Sequence, residues 1–350
     1  MTKDKVRGSL IGGAIGDALG YPVEFLNYGS IQKTYGGGGI TRFDLEPYWL
    51  DKSEHTGKAI VSDDTQMTMF TACGLMNALQ WNIPLIDGIK EAYLEWLTTQ
   101  DDNYTLGTDP KCWITNIPEM NVCRAPGNTC LTSLRSIANM IIPTNNSKGC
   151  GGVMRIAPIP LFASVNNKMS ITDADRLAGD AAQLTHHHPL GYIPAALTAH
   201  IIYRLLQDEE PSRSKFEDYI HEGMEQIKEL YAVSKTSLRT MERLVEMALA
   251  LSKNNQPDHV NIMEQLGGGW VAEETLAIAL YCIHRYFDDF EKAIIASVNH
   301  SGDSDSTGAV TGNIIGTICG YEAIPHFYKR DLELYNIILQ VADALCEKQT

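Results

Sequence analysis

The chain has 350 residues, enough to bury a large core, and its 44% hydrophobic and 20% charged residues are ordinary for a soluble globular protein. A formal net charge of −15 excludes a protein that binds nucleic acid through a general basic surface. The sequence predicts no membrane-spanning helix and no membrane partner, because no stretch approaches about eighteen uninterrupted apolar residues.

The beginning of the chain superficially resembles a signal peptide, because basic residues precede the apolar run LIGGAIG. That run is short and rich in glycine, and the acidic residues Asp17 and Glu24 follow it closely. We therefore interpret this segment as the first core helix and expect a cytoplasmic protein.

Helical periodicity dominates the rest of the sequence. In 238–251, for example, apolar residues recur at the i, i+3 and i+4 spacing that places them on one helix face. We predict helices over 3–20, 64–80, 87–98, 129–140, 173–184, 190–207, 215–231, 237–252, 271–287, 290–297, 307–320 and 331–347. Strand-like alternation is nearly absent and no shift in composition marks a boundary. The sequence thus predicts an all-α fold, with residues 1–350 forming a single compact domain that carries long, cleft-forming loops.

Glycine recurs at every fourth position in the first predicted helix and in the one that begins near residue 307. The two sets are Gly8, Gly12, Gly16 and Gly20, and Gly308, Gly312, Gly316 and Gly320. Each glycine inside a helix costs about 1 kcal/mol relative to alanine, so close packing must compensate. We expect these two helices at the centre of the fold, in close contact with each other or with a shared neighbour.

Two acidic segments precede predicted helices. The first contains Ser62, Asp63 and Asp64, and the second contains Asp303, Asp305 and Ser306. Each could be an independent helix cap, since one side-chain oxygen satisfies a free backbone N–H. Paired carboxylates with hydroxyls between them exceed that need, and they suit a hard divalent cation if the two segments share a cavity.

The loops between the helices carry further candidates, each with a simpler structural explanation. Thr129 follows a Pro-Gly turn and could simply cap a helix, and a ligand role for it depends on its context. The loop from Gly149 to Gly152 could expose N–H groups to a phosphate or merely form a turn. His186 suits a cap or a substrate contact better than zinc, because no cysteine pair or H-E-x-x-H pattern accompanies it. Trp270 could close the core or stack on a ring.

Seven segments together resemble the ADP-ribosylglycohydrolase family. They occur in the order GSLIGGAIGDALGYPVEF, SDDTQMTM, RAPGNTCL, SKGCGGVMRIAP, THHHP, GGGWVAEETLAIALYC and HSGDSDSTG, and they cover nearly the whole chain. The resemblance implies an all-helical fold with two divalent cations, Mg²⁺ or Mn²⁺, at the base of a cleft. It further implies that the metal ligands are Ser62, Asp63, Asp64, Asp303, Asp305 and Ser306.

The same resemblance implies the residues that act on the substrate. Glu24 matches a mobile acidic residue near the metals, and Glu24, Asp63 or Asp303 would serve as the catalytic base. Asp109 is the candidate for an additional acid beside the ribose. The residues that would hold ADP-ribose are Arg124, Gly127, Asn128, Thr129, Lys148, Gly149, Cys150, Gly151, Gly152, His186 and Trp270.

The reaction that the resemblance implies is removal of ADP-ribose from arginine, because the segment from Asp303 to Gly308 and the SKGCG loop look closer to arginine-specific members than to serine-specific ones. The partner would be a mono-ADP-ribosylated protein or free ADP-ribose. Alternatives are a hydrolase of ADP-ribosyl-serine or O-acetyl-ADP-ribose, and an immunity protein that neutralises an ADP-ribosylating toxin by binding as well as by hydrolysis. A purely structural role fits poorly, since an inert protein has no need of a repulsive acidic cluster.

Overall fold

Helices make up the secondary structure of the computed structural model, which describes residues 2–47, 50, 56–101, 103–105, 107, 109–166, 169–254 and 259–347. Within those ranges no β-strand occurs, and the prediction of an all-α fold is confirmed. The helices are α1 (Thr2–Gly20), α2 (Tyr28–Tyr35), α3 (Asp63–Trp81), α4 (Leu85–Gln100), α5 (Asn128–Ala138), α6 (Pro158–Asn166), α7 (Ile171–Gln183), α8 (Pro189–Gln207), α9 (Arg213–Leu230), α10 (Lys235–Ser252), α11 (His259–Met263), α12 (Ala272–Arg285), α13 (Phe290–Val298), α14 (Ser304–Cys319), α15 (His326–Asp331) and α16 (Tyr335–Cys346).

The predicted helices agree with the observed ones to within three residues at each end, with one exception. The single helix predicted over 331–347 is wrong, because α15 ends at Asp331 and α16 begins only at Tyr335. Between them the chain pairs with a distant segment: the Ala59 N–H donates to the Asp331 carbonyl (2.8 Å), and the Glu333 N–H donates to the Ala59 carbonyl (2.9 Å). These long-range hydrogen bonds replace the helical ones.

Four shorter helices, α2, α6, α11 and α15, were not predicted. The clearest case is α6, whose first turn contains Pro158 and Pro160. Proline suggests a loop, yet it is tolerated in the first helical turn, where its missing N–H would have no partner in the helix.

The two glycine-rich helices α1 and α14 lie antiparallel and in direct backbone contact. A Cβ atom added to Gly8, Gly12 or Gly16 would collide with the carbonyl oxygens of Gly316, Gly312 and Gly308, respectively. The predicted contact between these helices is therefore confirmed. Its consequence is that the end of α1 and the beginning of α14 meet at one place.

Gly312→Ala should destabilise the protein by about 3 kcal/mol, because the new methyl group meets the backbone of Gly12, which cannot rotate away like a side chain. The gain in helix propensity, about 1 kcal/mol, offsets only part of this cost. Chemical denaturation followed by circular dichroism measures the difference. The matched control is Gly37→Ala, since a Cβ there meets nothing within 4 Å and the stability should stay unchanged. Equal stability of the two variants would contradict the proposed role of the glycine contact.

One large cluster of buried apolar side chains runs through the described residues, from Val6 in α1 to Leu345 in α16. The prediction of a single domain over residues 1–350 stays a prediction, which the continuity of this cluster supports. No helix in the described ranges combines the length and apolar character needed to cross a membrane.

Candidate active site

Three carboxyl groups meet where α1 ends and α14 begins. Glu24 follows α1 through a short turn, in which its N–H donates to the Gly20 carbonyl (3.0 Å). A Cβ on Gly20 would collide with the carbonyl of Ser304, so this turn lies directly against the first turn of α14. One oxygen each of Glu24, Asp303 and Asp305 consequently lies within 4.8 Å of the others.

The beginning of α3 adds two more carboxyl groups. Ser62 caps this helix by accepting from the Asp64 N–H (3.2 Å), and the Asp63 N–H donates to the Arg124 carbonyl (3.0 Å). The side chains of Asp63 and Asp64 line the same cavity as Glu24. Two acidic segments that are far apart in the sequence are thus brought to one place, as predicted.

Asp17 holds α3 in this position, although it was not predicted as a site residue. Its fully buried carboxylate accepts from the Ser62 N–H (3.0 Å), from the Thr65 N–H (3.1 Å) and from the Thr65 hydroxyl. Because Asp17 lies in α1, these bonds fasten α3 to the central helix pair. The signal in the sequence was an aspartate within an otherwise apolar and glycine-rich helix, since such a group is buried only when it is hydrogen-bonded.

The acidic cluster is unfavourable in its charged form without a counter-charge. Burial, together with the negative charges of Asp303 and Asp63, raises the pKa of Glu24 to about 9. Burial also raises the pKa of Asp63, Asp64 and Asp305 well above the usual range of an aspartate, and repulsion from neighbouring carboxylates, Asp303 among them, adds to this effect.

The residues of the cluster fit one or more hard divalent cations. All their donor atoms are oxygens, the type that Mg²⁺ and Mn²⁺ prefer. The Oδ2 atom of Asp64 is buried and has no hydrogen-bond partner within the described part of the chain. A buried carboxylate oxygen without a partner is costly, and a cation would satisfy it.

The cation-free protein should lose stability as the pH rises from 7 to 9. A carboxyl group whose pKa is higher in the folded than in the unfolded chain takes up a proton on folding, so its contribution falls as the pH rises toward the folded pKa, about 9 for Glu24. Each such proton changes the free energy of unfolding by about 1.4 kcal/mol per pH unit. Histidines, with an ordinary pKa near 6.5, have largely titrated below this window. Thermal melts in EDTA measure the effect.

The control for this prediction is Glu24→Gln, which should melt with a smaller dependence on pH over the same range, because it removes one group that must ionise. If the cation-free wild type is equally stable at pH 7 and pH 9, the acidic cluster does not carry the repulsion inferred from its geometry.

The cluster lies in a cavity of about 390 Å³ that several long loops help to enclose. The lining contains most of the residues predicted to bind metal or substrate: Glu24, Asp63, Asp64, Gly127, Asn128, Thr129, Gly149, Cys150, Gly151, His186, Trp270, Asp303, Asp305 and Ser306.

The glycine loop lies close to His186. A Cβ on Gly151 would lie 3.0 Å from the imidazole, so the backbone approaches the ring more closely than a larger residue would allow. Burial lowers the pKa of His186 to about 3, and the ring is therefore neutral at pH 7. Next to Gly151, the thiol of Cys150 donates to Oδ2 of Asp303 (2.9 Å), which links the loop to the acidic cluster.

Two aromatic side chains stack at the cavity. The rings of Phe25 and Trp270 are 5.2 Å apart with an angle of 24° between their planes, and both side chains are exposed. Phe25 was not predicted, and only its position next to Glu24 could have indicated it. Its backbone φ of 66° lies in the left-handed region, which is uncommon for a residue other than glycine.

Five predicted residues do not line the cavity. The guanidinium of Arg124 is buried and pairs with Glu333 (3.1 Å), and the ammonium of Lys148 pairs with Glu273. Ser62 and Gly152 are buried and Asp109 is exposed, and none of the three is among the residues that line the cavity. The ion pair of Arg124 joins its loop to the segment before α16, and the ion pair of Lys148 joins its loop to α12. These side chains therefore position loops of the site.

The family model described as ADP-ribosylglycohydrolase matches residues 1–350 of the chain. An ADP-ribosyl-[dinitrogen reductase] glycohydrolase of Rhodospirillum rubrum is 24% identical over 356 aligned residues, covering 98% of this chain and 95% of the relative. The ADP-ribosylarginine hydrolase Tri1 of Serratia proteamaculans is also 24% identical and covers 92% of this chain and 73% of its own length.

A second group of relatives matches only in part. The ADP-ribosylhydrolase ARH3 of Bos taurus is 28% identical over 209 residues, and the chain spans 54% of that relative's length.

Among solved structures, an ADP-ribosylglycohydrolase-related protein complex has a TM-score of 0.67 at 23% identity, and the match covers 99% of this chain and 98% of that one. At that identity the likeness shows a shared fold.

Proposed function

Because the chain belongs to the ADP-ribosylglycohydrolase family, we propose that it hydrolyses the N-glycosidic bond between ADP-ribose and arginine in modified proteins. One observation carries the proposal. Glu24, Asp63, Asp64, Asp303 and Asp305 converge in one cavity beside a glycine-rich loop. The carboxylates supply oxygen ligands for cations, and the loop supplies backbone N–H groups for phosphate oxygens. A reaction on an anionic sugar nucleotide needs both.

Asp63, Asp64, Asp303 and Asp305, with the hydroxyls of Ser62 and Ser306, would hold two divalent cations, Mg²⁺ or Mn²⁺. Ser62 needs a small rearrangement for this role, because its hydroxyl accepts from the Asp64 N–H. When bound, the cations would neutralise the carboxylates, bind ribose hydroxyls and lower the pKa of a water molecule.

The loop from Lys148 to Gly152, with Gly127, Asn128 and Thr129 opposite, would bind ADP-ribose. Backbone N–H groups of a glycine-rich loop suit phosphate oxygens, and the neutral ring of His186 beside Gly151 can donate or accept one hydrogen bond. The net charge of −15 gives the anionic substrate no long-range attraction, so these local donors must hold it.

Glu24 is the proposed group that holds the transferred proton. Water attacks the anomeric carbon while the C–N bond to the guanidine breaks and its electron pair leaves with the guanidine nitrogen. The proton that the water loses passes through a carboxylate to that nitrogen. Without cations Glu24 keeps its proton at pH 7, because its pKa is about 9. Positive charge nearby would lower that pKa and free the carboxylate to accept the proton. Asp63 or Asp303 is the alternative base, and Asp109, which does not line the cavity, stays a candidate for the additional acid beside the ribose.

Hydrolysis of ADP-ribosyl-serine or O-acetyl-ADP-ribose is the second candidate. The likeness to the ADP-ribosylhydrolases ARH3 favours it, since their name specifies no arginine. Their sequence identity to this chain, 27–28%, is slightly higher than the 24% of Tri1. Full-length coverage favours the arginine-linked substrate, because the arginine hydrolase Tri1 matches 92% of this chain and the ARH3 relatives about half of it.

Side-by-side assays on ADP-ribosyl-arginine and ADP-ribosyl-serine proteins test the proposal. We expect ADP-ribose to be released at least about tenfold faster from arginine. Faster release from serine would replace the first candidate with the second, and no release from either would refute both.

The proposed partner is a mono-ADP-ribosylated protein. Binding of an ADP-ribosylating toxin and a cytoplasmic location stay predictions from the sequence. A toxin that co-purifies with the Asp303→Ala variant would indicate neutralisation by binding in addition to hydrolysis.

A further inference from the structure

Three consecutive apolar side chains just after α5 are exposed to solvent. The side chains of Met140, Ile141 and Ile142 are 94%, 61% and 84% exposed, although large apolar side chains are normally covered when they occur together. They border a cavity of about 480 Å³ that Ile86, Ile137 and Leu184 also line. We call Met140, Ile141, Ile142 and this cavity the 140–142 patch.

The patch and the candidate active site lie side by side along α5. Cys130 lines the acidic cavity and Ile137 lines the patch. They are seven positions apart on one helix, so they share a face about 10 Å apart. The segment between α7 and α8 shows the same arrangement, because His186 lines the acidic cavity and its neighbour His187 lines the patch.

The segment that joins the patch to the glycine loop is held in place. The side chain of Asn145 donates to the Thr185 carbonyl (2.9 Å) and accepts from the N–H groups of Ser147 (3.0 Å) and His187 (3.2 Å). The patch is therefore part of the same ordered surface as the loop that lines the acidic cavity.

We propose that the 140–142 patch is the docking surface for the modified protein substrate, which presents an apolar side chain beside its ADP-ribosylated residue. This inference rests on the proposed function. A protein whose modified side chain enters the acidic cavity must cover the surrounding surface, and an ordinary interface of about 800 Å² per partner reaches roughly 16 Å from its centre. Ile137, which lines the patch, lies about 10 Å along α5 from Cys130 of the acidic cavity and so falls within that radius, and the patch offers the apolar residues that the interior of such interfaces requires.

The test compares two substrates and two surface variants. The patch variant carries Met140→Ser and Ile142→Ser, and the control is Val233→Ser, which changes an equally exposed apolar residue between α9 and α10. For the ADP-ribosylated protein, we expect the patch variant to raise KM roughly tenfold with little change in kcat. For free ADP-ribosyl-arginine, KM and kcat should stay within about twofold, and the control should match the wild type on both substrates.

An unchanged KM for the protein substrate would overturn the proposal, and so would an equal rise in KM on both substrates. A wild-type dimer that the patch variant converts to monomers would overturn it as well, because the patch would then bind a second copy of this chain.

A second measurement does not depend on hydrolysis. Calorimetry would compare the affinity of Asp303→Asn for the modified protein with and without the patch substitutions, and we expect about tenfold weaker binding with them. If the wild type cleaves neither substrate, the proposed function fails while this comparison still decides whether the patch binds the protein.

Discussion

Replacement of Asp303 by asparagine should lower kcat for release of ADP-ribose on the order of 10³-fold while the protein stays folded. The carboxylate caps α14 by accepting from the Ser306 N–H (3.3 Å), and it lies among the acidic groups of the cavity. Asparagine caps helices as well as aspartate does, so the substitution removes the charge and keeps the helix end. A loss of this size is typical when a group that stabilises charge in the transition state is removed.

The matched control is Asp289→Asn. Asp289 caps α13 by accepting from the Lys292 N–H (3.0 Å), but it lies outside the cavity. We expect its kcat to stay within about twofold of the wild type and both variants to show wild-type circular dichroism. Equal activity of Asp303→Asn and the wild type would remove Asp303 from the proposed mechanism.

Removal of divalent cations should lower hydrolysis by a comparable factor. EDTA treatment followed by dialysis would leave the carboxyl groups of the cluster protonated or mutually repelling, since the pKa of Asp64 and of Asp305 is raised well above its usual range. Addition of Mg²⁺ or Mn²⁺ should restore activity. It should also stabilise the folded protein by about 2.7 kcal/mol at a cation concentration a hundred times Kd.

The variant Asp305→Asn provides the control for the cation effect, because it removes one of the three carboxylates that lie within 4.8 Å of one another. Its melting temperature should rise less than that of the wild type when Mn²⁺ is added. Full activity of the wild type in EDTA, or the same rise in melting temperature for both proteins, would contradict the inferred cation site.

The central features of the site could be predicted because they follow from local sequence. A glycine at every fourth position marks a helix face that needs close backbone contact, and that contact explains why Asp305 and Glu24 meet. The acidic segment before α3 could also be identified from local sequence, because Ser62 and the two aspartates directly precede a predicted helix.

Other features depend on residues that are far apart in the sequence, and local patterns do not reveal them. Arg124 was predicted to bind substrate, but its guanidinium pairs with Glu333, and nothing near either residue indicates the other. The same segment interrupts the helix predicted over 331–347, because it bonds to Ala59. Asp17 likewise gains its role only when α1 packs beside α3.

The antiparallel contact of α1 with α14 has a consequence for biosynthesis. Roughly 280 residues separate the end of α1 from the beginning of α14, so the first helix emerges from the ribosome long before its partner. Contacts of such large sequence separation form slowly, and partly folded chains with uncovered surfaces are prone to aggregate. The glycine face of α1 therefore lacks its partner until α14 is synthesised, and only then do the carboxylates of Glu24 and Asp305 come together.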